Sequence, residues 1–86
     1  MENLNPVFDY SKLEGKIKEK YKTQKLVTNH LSFGNTSLSQ KLNNRVAFSQ
    51  KDILELANVL NIPDVEIPEY FFKLNVRFSE RDKQIN

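Results

Sequence analysis

Asn35, Thr36, Ser39 and Gln40 stand at i, i+1, i+4 and i+5 of a stretch, Asn35 to Leu42, whose only apolar residues are Leu38 and Leu42. Wound as a helix, that spacing gathers the amides and hydroxyls on one side and leaves the two leucines for a core. Asn and Gln can pair bidentately with the major-groove edge of adenine. Ser and Thr can pair with either kind of base, and the Thr methyl can touch the thymine methyl. Taken alone, these residues fit either the solvated face of a short helix or hydrogen-bonded reading of base edges; the elements around them decide between the two.

Other chemistries lack their residues. With no cysteine and a single histidine, His30, set mid-helix without a paired His, neither a nucleophilic triad nor a His-based metal site can be assembled. His30 reads as a surface or boundary helix residue. Asp64, Glu66 and Glu69 are close in sequence, but Pro63 and Pro68 interrupt them and the central glycine of a calcium loop is missing. Gly15 and Gly34 are the only glycines, so no Gly-rich phosphate cradle exists. A binding protein is expected rather than an enzyme, with no metal, cofactor or small-molecule substrate.

The 86 residues give room for one modest core, and residues 1–86 are read as one DNA-binding domain. Hydrophobic residues are 38% of the chain and charged residues 28%, a globular balance, and no apolar run approaches the ~20 residues of a membrane span. The amino terminus lacks the basic and apolar blocks of a secretory signal and there is no cysteine to suggest export, so a cytoplasmic location is expected. Net charge is only +2, but it is unevenly spread. Residues 11–45 hold eight basic residues, among them Lys12, Lys16, Lys18, Lys22, Lys25 and Lys41, against Glu14 and Glu19, whereas the rest is acidic. Any polyanion-binding surface therefore belongs to the first half.

The elements that must position the polar helix follow from periodicity. Tyr10, Leu13, Ile17 and Tyr21 form the stripe of an amphipathic helix with Asp9 or Ser11 as cap. A second helix, roughly Thr23 to Leu31, carries Val27 and Leu31 inward with Leu26 alongside. Ser32-Phe33-Gly34 then allows only a steep turn into Asn35–Leu42, with Phe33 plugging the junction. Asn43-Asn44 can turn left-handed. Ser49 and Asp52 resemble a capping box ahead of Ile53, Leu56, Ala57 and Leu60, and Pro63 closes that fourth helix. From Tyr70 the period changes: Tyr70, Phe72, Leu74, Val76 and Phe78 alternate with other residues, which predicts a half-buried strand over about residues 70–79. The expected architecture is mainly α, four to five helices with a C-terminal extended segment. The turn between the second and third helices and the basic segment fit a helix-turn-helix over residues 23–42, whose second helix would lie in the major groove.

At these residues the chain resembles a known group. TQKLVTNHLSFGNTSLSQKLNNR is similar to the helix-turn-helix of phage repressor and Cro-like regulators, with Gln24, Thr28 and Leu38 in the patterned places. FDYSKLEGKIKEKYKTQ, TSLSQKLNN, FSQKDILELANVLNI and EYFF together resemble a family of small phage-type repressor-like proteins, over about residues 8–72. The resemblance implies a compact lambda-repressor-like fold, operator binding and often a homodimer. By the same analogy Asn35, Thr36, Ser39 and Gln40 contact bases, and Gln24, Ser37, Lys41, Asn43 and Arg45 contact phosphates. Two departures stand out: Thr28 replaces the usual Ala, and Ser32 occupies a turn position where Gly is preferred, which implies backbone strain there.

One such helix touches about half a turn of duplex, so two copies on half-sites about 34 Å apart are expected. Tyr70, Phe72, Leu74, Val76 and Phe78 are the expected dimer interface, as an intermolecular ribbon or an aromatic insertion, unless the strand folds back on its own amino terminus. The competing class is a protein-binding modulator of the anti-repressor type on the same scaffold.

Overall fold

A computed structural model describes residues 7–75. Five α-helices follow in order: α1 Ser11–Tyr21, α2 Gln24–Thr28, α3 Asn35–Leu42, α4 Gln50–Leu60 and, after a 3₁₀ turn at Asp64–Glu66, α5 Ile67–Phe71. The architecture is mainly helical, as expected. Its core is the set the stripes identify, with Leu13 and Ile17 of α1, Val27 of α2, Leu38 and Leu42 of α3, and Ile53, Leu56, Ala57 and Leu60 of α4 all buried. Ile62, Tyr70 and Phe71 complete it from the C-terminal side.

Local chemistry sets most boundaries. The Asp9 carboxylate accepts from the Ser11 N–H (2.9 Å) and hydroxyl (2.6 Å), steering the chain into α1, while Tyr10 holds the cap position without a side-chain bond. The Thr23 hydroxyl accepts from the Leu26 N–H at 3.1 Å and starts α2. Ser49 and Asp52 form a complete capping box, each side chain taking the other's N–H at 3.0 Å. The fourth helix ends at Asn61, which turns left-handed (φ 58°) two residues before Pro63.

Expectations for two segments are corrected. The second helix stops at Thr28 rather than Leu31, because the Thr28 hydroxyl bonds back to the Lys25 carbonyl at 2.7 Å and the next N–H groups tighten. Those of Asn29, His30 and Leu31 reach back three residues instead of four. The turn of the helix pair thus runs from Asn29 to Gly34. Ser32 has no positive φ within it; among the described residues those with one are Lys22, Asn44 and Asn61. Its N–H and hydroxyl instead donate to the Glu55 carboxylate at 2.9 and 2.8 Å, pinning the turn to α4.

The second correction concerns the strand. Residues Ile67–Phe71 are helical, with Pro68 in the first turn where a missing N–H breaks no bond. Ile67, Tyr70 and Phe71 lie at i, i+3 and i+4, so Tyr70 (5% exposed) and Phe71 (1%) both enter the core, which alternation would forbid. Tyr70 is therefore not available as a dimer contact. Lys12 of α1 covers its ring at 4.8 Å and pairs with Glu69 beside it. Among the described residues, extended pairing is confined to one antiparallel bridge, Phe8 with Leu74, flanked by Asp9 N–H to Lys73 C=O (2.7 Å) and Asn75 N–H to Val7 C=O (2.9 Å). The chain folds back on its own amino-terminal segment there. Val76 and Phe78 lie outside the described residues.

Candidate nucleic-acid interface

The third helix owes its position to few residues. Leu38 and Leu42, one turn apart, bury its inner side, and the preceding turn is fixed by Phe33 and by Ser32 on Glu55. Asn44 fixes its exit. Turned left-handed at φ 63°, a conformation Asn tolerates, it accepts from the Phe8 N–H and donates to the Phe8 carbonyl, both at 3.0 Å. Phe8 and Tyr10 then join Phe48, Phe71 and Phe72 in a run of ring contacts with centroids 5.3–6.2 Å apart. The helix is thus bonded at its entry to α4 and at its exit to the aromatic cluster around Phe8.

Its outer side carries the expected reading groups. Asn35, Thr36 and Gln40 are exposed and Ser39 is half-buried, all on one side as their spacing requires. The helix contains no acidic residue, and it starts on Gly34 without a side-chain cap. Gln24, the first residue of α2, lines a groove together with Asn35, the first residue of α3. Asn43 and Arg45 are exposed at the far end, where the Arg45 N–H caps the Gln40 carbonyl at 2.9 Å. Gln24 thus lies beside Asn35 at the start of the helix, while Asn43 and Arg45 are exposed beyond its end, Arg45 lining another groove with Phe8 and Phe72.

Lys41 is the exception. Only 7% exposed, its ammonium turns inward to the Ser37 hydroxyl at 2.7 Å, the Asp52 carboxylate at 3.6 Å and the Phe33 ring at 4.7 Å. Burial pushes the Asp52 carboxyl up, but the Ser49 and Lys41 hydrogen bonds outweigh it and hold the group below the ordinary value. Lys41 therefore bonds α3 to α4 and is withdrawn from phosphate contact, and Ser37 is half-buried as its partner. Sequence spacing shows Ser37 and Lys41 as an i, i+4 pair but does not show Asp52 across the helix junction. Glu55, the anchor of the turn, was likewise not singled out, since nothing local links it to Ser32.

Among solved structures, the chain is similar to the modulator of repression (MOR) of the temperate bacteriophage TP901-1 from Lactococcus lactis. The identity is 38%, with a TM-score of 0.67, and the match covers 76% of this chain and 88% of that one. No curated protein matches. A family model described as "Protein of unknown function (DUF739)" matches residues 6–74, four-fifths of the chain, and the protein accordingly belongs to that family.

Proposed function

We propose that this protein is a transcriptional regulator of a repression switch, acting through the exposed side of α3, and that duplex DNA is the target which that side fits best. The observation that carries the reading is the acid-free helix with Asn35, Thr36 and Gln40 exposed together after a turn bonded to Glu55 of α4. Asn35, Thr36, Ser39 and Gln40 read bases, while Gln24, Asn43 and Arg45 meet the backbone. Replacing Gln40 by Ala is expected to cost about 1–3 kcal/mol on the preferred duplex and to relax preference at one base pair. Binding measured on the preferred duplex and its single-base variants tests this: equal losses on every sequence would remove Gln40 from base reading.

Two copies act together in this reading. The extended segment pairs with Phe8 of its own chain, so the contact with a second copy is an aromatic insertion rather than a ribbon. Among the described members of the expected set, Phe72 and Leu74, 50% and 52% exposed, supply it, with Val76 and Phe78 outside the described residues.

A second reading is favoured by a separate observation. The similar solved structure is a modulator of repression by name, and the inward turn of Lys41 removes the only cation within α3. On this reading the same face binds another regulator rather than an operator. Weak salt dependence and no preference among duplexes would support it.

A further inference from the structure

Lys22 has an unusual backbone. Its φ and ψ are 72° and −42°, and the Tyr21 carbonyl accepts from the Thr23 N–H at 2.8 Å across it, which makes a γ-turn of the rare, strained positive-φ kind. The other two positive-φ residues among the described ones are asparagines, which tolerate that region; a lysine gains nothing from it, and glycine is the residue that relieves it. The position is the C-cap of α1, where the Lys22 N–H bonds the Lys18 carbonyl at 3.0 Å and the chain must reverse into α2. That the positive-φ cap falls on a lysine, where Gly or Asn is usual, directs attention to its side chain.

The turn sets Lys22 among other cations. Lys18, one turn earlier on α1, Lys22, and Lys25 of α2 line one groove with Gln24 and Asn35, and Glu14 is the only acid on it. Among the described residues none of these three lysines has an ion pair, although Lys12, Lys16 and Lys41 all do. Three lysines without an ion pair among the described residues thus line one groove with the first residue of α3.

We infer that Lys18, Lys22 and Lys25 clamp a phosphate segment of duplex DNA, replacing Lys41 in the cationic role and fixing how α3 enters the groove. The inference rests on the DNA reading above. It assigns the clamp to the α1–α2 junction, whereas Asn43 and Arg45 lie at the opposite end of α3. Such a clamp carries no sequence information; it adds affinity equally on all duplexes and makes it steeply salt-dependent.

The test measures binding to a preferred and a scrambled duplex over a salt series. Lys18→Gln, Lys22→Gln and Lys25→Gln are each expected to bind both duplexes about tenfold more weakly near 0.1 M salt and to lower the log–log salt slope by about 1. Lys22→Arg is expected to retain both affinity and slope. Lys22→Gly separates function from folding: it is expected to melt higher, by about 4–8 °C, while binding as weakly as Lys22→Gln. Wild-type binding with unchanged slopes in all three Gln variants would overturn the clamp and leave the DNA reading standing. A lower melting point for Lys22→Gly would overturn the argument from strain. Failure of the wild-type protein to bind either duplex at low salt would overturn both.

Discussion

Lys41 and Asp52 illustrate how burial reassigns a residue. A lysine in the last turn of a polar helix reads as a phosphate contact, yet the side chain lies along the core and its charge is met by Asp52, Ser37 and the Phe33 ring. Removing one partner of such a pair leaves the other uncompensated, so Lys41→Ala is expected to cost roughly 1–3 kcal/mol of stability. Lys41→Met keeps the apolar stem and should cost distinctly less. Denaturant titration of the two variants checks the order, and equal costs would mean that the stem contributes nothing. The pair also predicts a pH dependence. Because folding lowers the Asp52 value, its stabilisation is complete above the ordinary 3.8 and is lost as the pH falls through the lower folded value. Thermal melts from neutral pH to below 3 should show an acid loss that is shallower in Asp52→Asn; an identical acid limb would contradict the assignment. At this scale the sequence shows which residues can do chemistry, as with Asn35, Thr36 and Gln40. It does not show which of them a distant carboxylate has already engaged.

Among the elements, those with strong local signals were legible. The α4 helix has its capping box and a four-residue stripe, and both stand in the structure as expected. Elements set by competition were not. Thr28 ends α2 through its own hydroxyl, a choice that the continuing apolar spacing to Leu31 conceals. In the C-terminal segment both periods fit: Tyr70, Phe72 and Leu74 alternate, but Ile67, Tyr70 and Phe71 have helical spacing, and the core accepts two adjacent aromatics. The consequence is an asymmetry between neighbours. Phe71→Ala should destabilise by about 3–5 kcal/mol, as expected for a large fully buried ring. Phe72→Ala, which loses chiefly an edge contact with Phe8, should cost about 1 kcal/mol or less. Comparable costs, read from unfolding curves, would restore the strand.

For the molecule as a whole, Lys18, Lys22 and Lys25 of the basic first half line a groove with the start of the polar helix, while the acidic C-terminal half supplies Asp52, Glu55 and Glu69 as partners to Lys41, Ser32 and Lys12. That division explains why net charge alone predicted little. On the proposed dimer, Phe72→Asp is expected to shift sedimentation toward the monomer without unfolding the chain, because the ring is half exposed. A dimer unchanged by it would place the contact elsewhere. The central claim, that the α3 face reads DNA, is tested most directly by selecting duplexes from a randomised library with the purified protein and titrating the winner at two salt concentrations. The account predicts an enriched near-palindrome bound more tightly than scrambled DNA, with affinity falling steeply as salt rises. No enrichment, with weak binding to every sequence, would contradict it and assign the same face to a protein partner.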